Sequence, residues 1–236
     1  IKFKLKYTSN LDRIVDLMII PSRSITLSEN AIVKFDLIEN EESVTAVVLD
    51  SNKEIKFFHS EENDEEILSE SLETSSVNKV YNLTTNLKNP PTDIGLYFHK
   101  NKVVAASEGG EIFLWSIENN EVVLLQQFKL SENQINKITM LSGRNSMVIS
   151  NQNGSNFVFF LINNNLLKIR ELPKHEHPIK NAFRGNLKKI FTSVDTKGNV
   201  KISSTTSGKE LLNFKIKDYD LINFAFKDIG LLSFQN

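Results

Sequence analysis

Lys102-Val-Val-Ala-Ala-Ser-Glu-Gly-Gly-Glu-Ile-Phe-Leu-Trp115 is a pair of strand-length runs, rich in β-branched and aromatic residues, hinged on Gly109 and Gly110. Glycine at such a hinge supplies the positive φ that a tight hairpin demands. Gly154 follows Gly110 by 44 residues and Gly198 follows Gly154 by another 44, each again between two strand-like runs. Those runs are Ser146-Met-Val-Ile-Ser150 with Asn156-Phe-Val-Phe-Phe-Leu161, and Ile190-Phe-Thr-Ser193 with Val200-Lys-Ile-Ser203. Every unit repeats one order: an apolar strand, a short turn, a second strand, a polar hairpin, an aromatic strand, an Asn- or Ser-rich turn, and a fourth strand. The chain therefore reads as a repeated four-stranded antiparallel unit.

A period of about 40 to 45 residues with four strands per period is that of a β-propeller blade. The turns Glu118-Asn-Asn120, Asn163-Asn-Asn165 and Thr206-Ser-Gly208 carry further residues that tolerate positive φ. Upstream, Val44-Thr-Ala-Val-Val-Leu-Asp50 and Glu54-Ile-Lys-Phe-Phe58 have the same hairpin form, preceded by Ser24-Ile-Thr-Leu-Ser28 and Ala31-Ile-Val-Lys-Phe-Asp36. Downstream, Leu221-Ile-Asn-Phe-Ala-Phe226 opens another unit. Asn30 and Lys53, taken as successive turn positions, are only 23 residues apart, so they belong to one irregular blade or residues are missing between Asn40 and Ser43. The expectation is an all-β fold with a single propeller domain over 1–236. Its intact ring would have six or seven blades, partly incomplete in this chain, with Ile1-Lys-Phe-Lys-Leu-Lys-Tyr7 as a closing strand. A β-sandwich of similar strand count is the alternative, although it requires no such period. The chain opens on Ile1 and its last strand pattern stops at Asn236, so both ends read as cut.

The stretch His175-Glu-His-Pro-Ile179, then Ile190-Phe-Thr-Ser193, then Asp195 and Gly198-Asn-Val-Lys-Ile202, resembles one WD repeat. That resemblance implies that His175, Ser193 and Asp195 are three members of the hydrogen-bonded set that holds a blade of this family. The fourth place, an aromatic five residues after the glycine, is Ser203 here; Trp115 holds it after Gly110 and Phe159 after Gly154. Trp115 is thus also a structural repeat position, and the repeats are degenerate ones.

Composition narrows the chemistry. With 28 basic against 29 acidic residues, the chain has no global field for gripping nucleic acid or an anionic membrane. It has no cysteine, hence no disulfide, no thiolate nucleophile and no cysteine-type zinc site. No run reaches the roughly 18 apolar residues of a membrane span, and no secretory signal opens the chain. An intracellular protein, nuclear or cytoplasmic, is expected. His175 and His177 point to opposite sides of an extended chain and share no metal face. His59 and His99 stand alone at strand ends. No nucleophile elbow, phosphate loop or calcium pattern is present, so no catalytic residue, metal or cofactor is assigned. Ser107, Ser150 and Ser193 recur at intervals of 43 residues, which marks them as repeat positions.

Two charged stretches stand out. Glu61-Glu-Asn-Asp-Glu-Glu66, with Glu70 and Glu73, forms an acidic insert at about 60–76. It reads as a solvated loop or as a partner-binding insert in which Ile67, Leu68 and Leu72 form one face of a short helix. Lys168, Arg170, Lys174, Lys180, Arg184, Lys188 and Lys189 make 168–189 locally basic, though strand alternation scatters them over two faces.

The WD-repeat resemblance implies a noncatalytic scaffold, a subunit of a larger assembly whose partners are other proteins rather than a small-molecule substrate. The loops it implies on one side of the disc make Glu108, Asn151, His177 and Asp195 the candidate contact residues. A nucleic-acid-associated subunit contacting phosphates through 168–189 is the alternative.

Overall fold

The computed structural model describes residues 2–10, 13–23, 27–39, 43–61, 79–83, 87–99, 101–185, 189–216, 225–227 and 230–232, and every regular element there is a β-strand. Strands β1 (Lys2–Asn10) and β2 (Arg13–Arg23) pair as a two-stranded sheet. Blade 1 is β3 (Ile32–Glu39), β4 (Ser43–Asp50), β5 (Ile55–Glu61) and β6 (Lys79–Asn82). Blade 2 is β7 (Pro91–Leu96), β8 (Lys102–Ser107), β9 (Glu111–Glu118) and β10 (Glu121–Lys129). Blade 3 is β11 (Ile135–Met140), β12 (Ser146–Asn151), β13 (Asn156–Ile162) and β14 (Asn165–Leu172). Blade 4 is β15 (Ile179–Arg184), β16 (Ile190–Asp195), β17 (Asn199–Ser204) and β18 (Glu210–Lys215), and β19 (Ala225–Lys227) with β20 (Gly230–Leu232) makes a final two-stranded sheet. Each four-stranded sheet is a meander, and its first strand lies against the first strand of the next: β3 by β7, β7 by β11, β11 by β15. This is the propeller arrangement.

The pleat explains why the second strands are apolar without alternation. Successive side chains of a strand point to opposite faces, and each blade has a neighbour on both faces. Val103 and Ala105 of β8 therefore join Phe113 and Trp115 of β9 in a core layer shared with Val47, Leu49 and Phe57 of blade 1. Val104, Ala106, Ile112 and Leu114 turn the other way and pack with Met147, Ile149 and Phe159 of blade 3. Val148 and Val158 face Phe191 of blade 4 in a third layer. Each such fully buried aliphatic or aromatic side chain contributes about 1.5 to 3 kcal/mol relative to an exposed one.

The turns account for the low glycine content. Asn119 and Asn120 sit at φ 49° and 65°, and Asn163 and Asn164 at 50° and 62°, so asparagine pairs take the left-handed positions of two hairpins. The central hairpins place Lys53 (φ 67°), Gly110 (77°), Gly154 (84°) and Gly198 (79°) at one equivalent position. Lys53 is thus blade 1's substitute for glycine.

This register settles three expectations. Asn30 lies just before β3 and Lys53 between β4 and β5, so the two turns belong to one blade and their short spacing is the depth of that blade. Residues 27 and 28 are not in a strand, and 24–26 lie outside the described residues. The 43-residue recurrence of serines is coincidental: the hairpins align Ser107 with Asp50, Asn151 and Asp195, whereas Ser193 aligns with Val48, Ala105 and Ile149. The acidic insert begins at the end of β5 and leads toward β6; its residues 62–76 lie outside the described residues, as does Lys188.

Candidate functional site

Antiparallel pairing puts the central hairpins and the segments entering each blade on one side of the disc. On that side each blade carries a polar brace. Asp195, 1% exposed, accepts backbone N–H bonds from Lys197 (2.9 Å) and Asn199 (2.9 Å) and an amide bond from Asn199 Nδ2 (2.7 Å). His175 Nδ1 faces Asp195 Oδ2 at 3.4 Å, while His175 Nε2 lies 2.8 Å from Ser193 Oγ. With the proton on Nδ1, toward the carboxylate, Nε2 accepts from the Ser193 hydroxyl. The three residues named by the WD-repeat resemblance are thus brought together, and Ser203 is buried in the aromatic place.

The same brace recurs in other residue types. Twenty residues before Asp50 stands Asn30, whose Nδ2 donates to Asp50 Oδ2 at 3.2 Å, joined by Ser28 Oγ at 2.7 Å. Twenty residues before Asn151 stands Ser131, whose Oγ accepts from Asn151 Nδ2 at 3.1 Å. Asn151 Oδ1 in turn accepts the Ser155 N–H at 3.0 Å. In blade 2 the position holds Leu87, and Glu111 takes over by accepting from Asn89 Nδ2 (2.8 Å) and Ser107 Oγ (3.3 Å). The fixed twenty-residue offset was a sequence signal that would have found Asn30 and Ser131.

The braces dispose of the candidate contact residues unequally. Asn151, 1% exposed, and Asp195 are buried and occupied within their blades, which leaves Glu108 and His177 of the four at the surface. Glu108 is exposed and 3.8 Å from Lys53 Nζ. Trp115 is a core residue, stacked on Phe113 with ring centroids 5.5 Å apart and 13° between planes. No His-Ser-Asp set accompanies it, since the aligned residues are Leu87, Ala105 and Ser107.

Around the axis the first strands are stapled in sequence. Asp36 Oδ2 accepts from Leu96 N (2.8 Å), Asp93 Oδ2 from Ile138 N (2.8 Å), and Asn136 Nδ2 donates to Ile179 O (3.1 Å). Burial pushes the Asp93 carboxyl up from its ordinary range, with Lys34 and Lys137 pulling the other way. Arg144, from the β11–β12 turn, reaches across to Asp36 with a two-pronged pair at 2.7 and 2.8 Å. A cavity of about 360 Å³ between these strands is lined by Lys34, Lys137, Arg144 and Arg184 beside Asp36 and Asp93. Sequence reasoning missed this axial set, because it forms between residues 43 to 108 positions apart.

The basic 168–189 stretch does not form one groove among the described residues. Lys168 and Arg170 lie on the outer strand β14 and Lys180 and Arg184 on the inner strand β15. Lys168 is paired with Glu171 at 2.7 Å and sits over the Phe157 ring, 4.8 Å from its centroid. Among the described residues no group of three His, Cys, Asp or Glu side chains could hold a metal, and no helix is long and apolar enough to cross a membrane.

His175 has a pH consequence. Burial holds its imidazole below the ordinary 6.5, against the pull of the Asp195 carboxylate. Above 6.5 both the folded and unfolded chains carry it neutral. As pH falls below 6.5 the unfolded chain takes up a proton that the folded one resists, so stability declines. Asp195 adds a second, more acidic loss. Burial alone would raise its carboxyl, but the Asn199 bonds hold it below 3.8, so its contribution is present above 3.8 and fades as pH falls further. The melting temperature is expected to drop between pH 7.5 and 5.5, and His175→Asn, which copies the Asn30 brace, is expected to flatten that drop. Equal slopes in the two proteins would refute the assignment.

No family model and no curated protein matches the chain. Among solved structures, the β-propeller domain of Cps50 (Swd1) from Myceliophteria thermophila is similar, with a TM-score of 0.58 and 10% identity over 77% of this chain and 59% of that one. This chain thus spans about three fifths of that domain. The fold is that of a β-propeller.

Proposed function

We propose that this chain is a noncatalytic scaffold, a single propeller domain that serves as a subunit of a larger intracellular protein assembly in the nucleus or cytoplasm. The observation that carries the reading is the outer rim. Val122, Val123 and Leu124 of β10, Leu167 and Ile169 of β14, and Leu211 and Leu212 of β18 are all exposed. Three successive outer strands therefore present apolar side chains, and unpaired edges, on a braced frame. Contacts made by such a frame cost little ordering entropy.

The test is purification of the full-length protein from its native cell at moderate salt, with and without nuclease, followed by mass spectrometry. A stoichiometric set of proteins that survives nuclease is expected. Leu211→Glu, a change at an exposed position that leaves the core intact, is expected to deplete it. Partners that vanish with nuclease, or steeply salt-dependent binding of nucleic acid by the isolated chain, would replace this reading with phosphate contact through 168–189. Recovery of the protein alone would overturn it.

A further inference from the structure

On the side of the disc opposite the central hairpins, a cavity of about 750 Å³ opens between blades 2 and 3. Three turns build it and the backbone ties them together. Phe98 N donates to Arg144 O (3.0 Å), Leu161 N to Asn145 O (3.1 Å), and Tyr97 N to Lys102 O (3.0 Å). The cavity is pre-formed, so a ligand would have little to order on entry.

Among the described residues its polar lining is rich in donors and includes no carboxylate. Lys102, at 8% exposure, has its ammonium 3.5 Å from the Asn101 amide oxygen, a weak contact, and no acidic side chain among the described residues lies within ion-pair distance. Its cross-strand neighbour Ser116 donates to Glu118 instead, at 2.6 Å. Tyr97 is fully buried and its hydroxyl has no hydrogen-bond partner. Asn101, Asn145 and Asn163 add amide groups at the wall. Arg144, the other lysine or arginine among the described lining residues, is already committed to Asp36. Beside this polar set, Phe98 stands 64% exposed at the mouth and Leu161 lines the wall.

A buried ammonium without a counter-charge and a buried hydroxyl without an acceptor are both costly, and one anionic oxygen group would satisfy both. Among the described residues Lys102 is the one uncommitted lysine or arginine of the lining, with the His99 ring beside Phe98 as a further polar group of the wall, and such a lining favours a singly charged carboxylate over a doubly charged phosphate. The exposed ring and the leucine suit an apolar neighbour of that carboxylate. We propose that this cavity receives an aspartate or glutamate side chain, flanked by an apolar residue, from a protein partner. The inference rests on the scaffold reading and names where and by what chemistry a partner docks.

The probe is the blocked tripeptide acetyl-Leu-Glu-Leu-amide, titrated into the isotope-labelled full chain and followed by two-dimensional NMR. Shifts confined to the amides of 97–102, 143–145 and 161–164 are expected. Binding of the glutamine analogue should be weaker by about tenfold, the size of one charge-assisted hydrogen bond. Lys102→Met should abolish the shifts. Tyr97→Phe guards against misfolding as the cause: the hydroxyl it removes is unpartnered, so its melting temperature should hold while its affinity falls. Equal binding of the glutamine peptide, shifts elsewhere, no shifts, or binding indifferent to both substitutions would each overturn the proposal. So would inorganic phosphate saturating the same amides at a lower concentration than the peptide, which would make this a free-anion site. If the native purification yields stoichiometric partners with wild type and Lys102→Met alike, the scaffold reading stands and this site falls. If neither yields partners, the scaffold reading falls by itself.

Discussion

Gly110→Ala is expected to destabilise the chain by about 3 to 5 kcal/mol, the upper range for a single substitution. Two causes add. Gly110 sits at φ 77°, where an L side chain costs about 1 to 2 kcal/mol. A Cβ built there would also lie 2.0 Å from the Ser131 carbonyl oxygen and 2.8 Å from that of Asn133, both backbone atoms. They cannot swing aside, because the Gly110 carbonyl accepts from Leu130 N (2.9 Å) and Ser131 N (3.3 Å) and so ties this hairpin to the start of blade 3. Gly143→Ala isolates the first cause. Gly143 has φ 82° but its nearest obstacle is Asn145 Oδ1 at 3.8 Å, so only about 1 to 2 kcal/mol is expected. Thermal melts should separate the two, with a loss of about 10 °C against a few degrees. Equal losses would show that hairpin contact between blades contributes nothing.

Arg144→Met is expected to cost about 2 kcal/mol, less than a fully buried pair because both partners keep about a fifth of their surface in water. Arg144 makes four bonds at once: two to Asp36, one to Leu96 O (3.1 Å) and one to Leu37 O (3.2 Å). It thereby joins a turn of blade 3 to the inner strands of blades 2 and 1. Removing it leaves the Asp36 carboxylate half-buried with backbone donors alone. Asp36→Asn should cost a similar amount, and the double variant should cost less than the sum by about 1 kcal/mol. Urea midpoints of the four proteins measure this, and strict additivity would show that the pair is not coupled.

These residues mark where the sequence was legible. His175, Ser193 and Asp195 could be picked out because one blade keeps the residue types of a familiar repeat. Asn30 with Asp50 and Ser131 with Asn151 make the same brace from other polar groups. A short hydrogen bond between two loop ends constrains donor and acceptor, not residue identity, so matching by residue type passed over them. The serine recurrence misled for the converse reason. Identical residues one or two places out of register lie on different parts of the pleat.

The sequence by itself determined the strand repeat and the hairpin positions. Each follows from local chemistry, namely glycine and asparagine at left-handed turns and apolar runs between them. Only the tertiary structure decided the rest. The Asp36–Arg144 bridge and the closing of the larger cavity between the turns of blades 2 and 3 depend on which blade faces which. That is set by packing across inter-blade layers, and neither spacing nor periodicity within one strand encodes it.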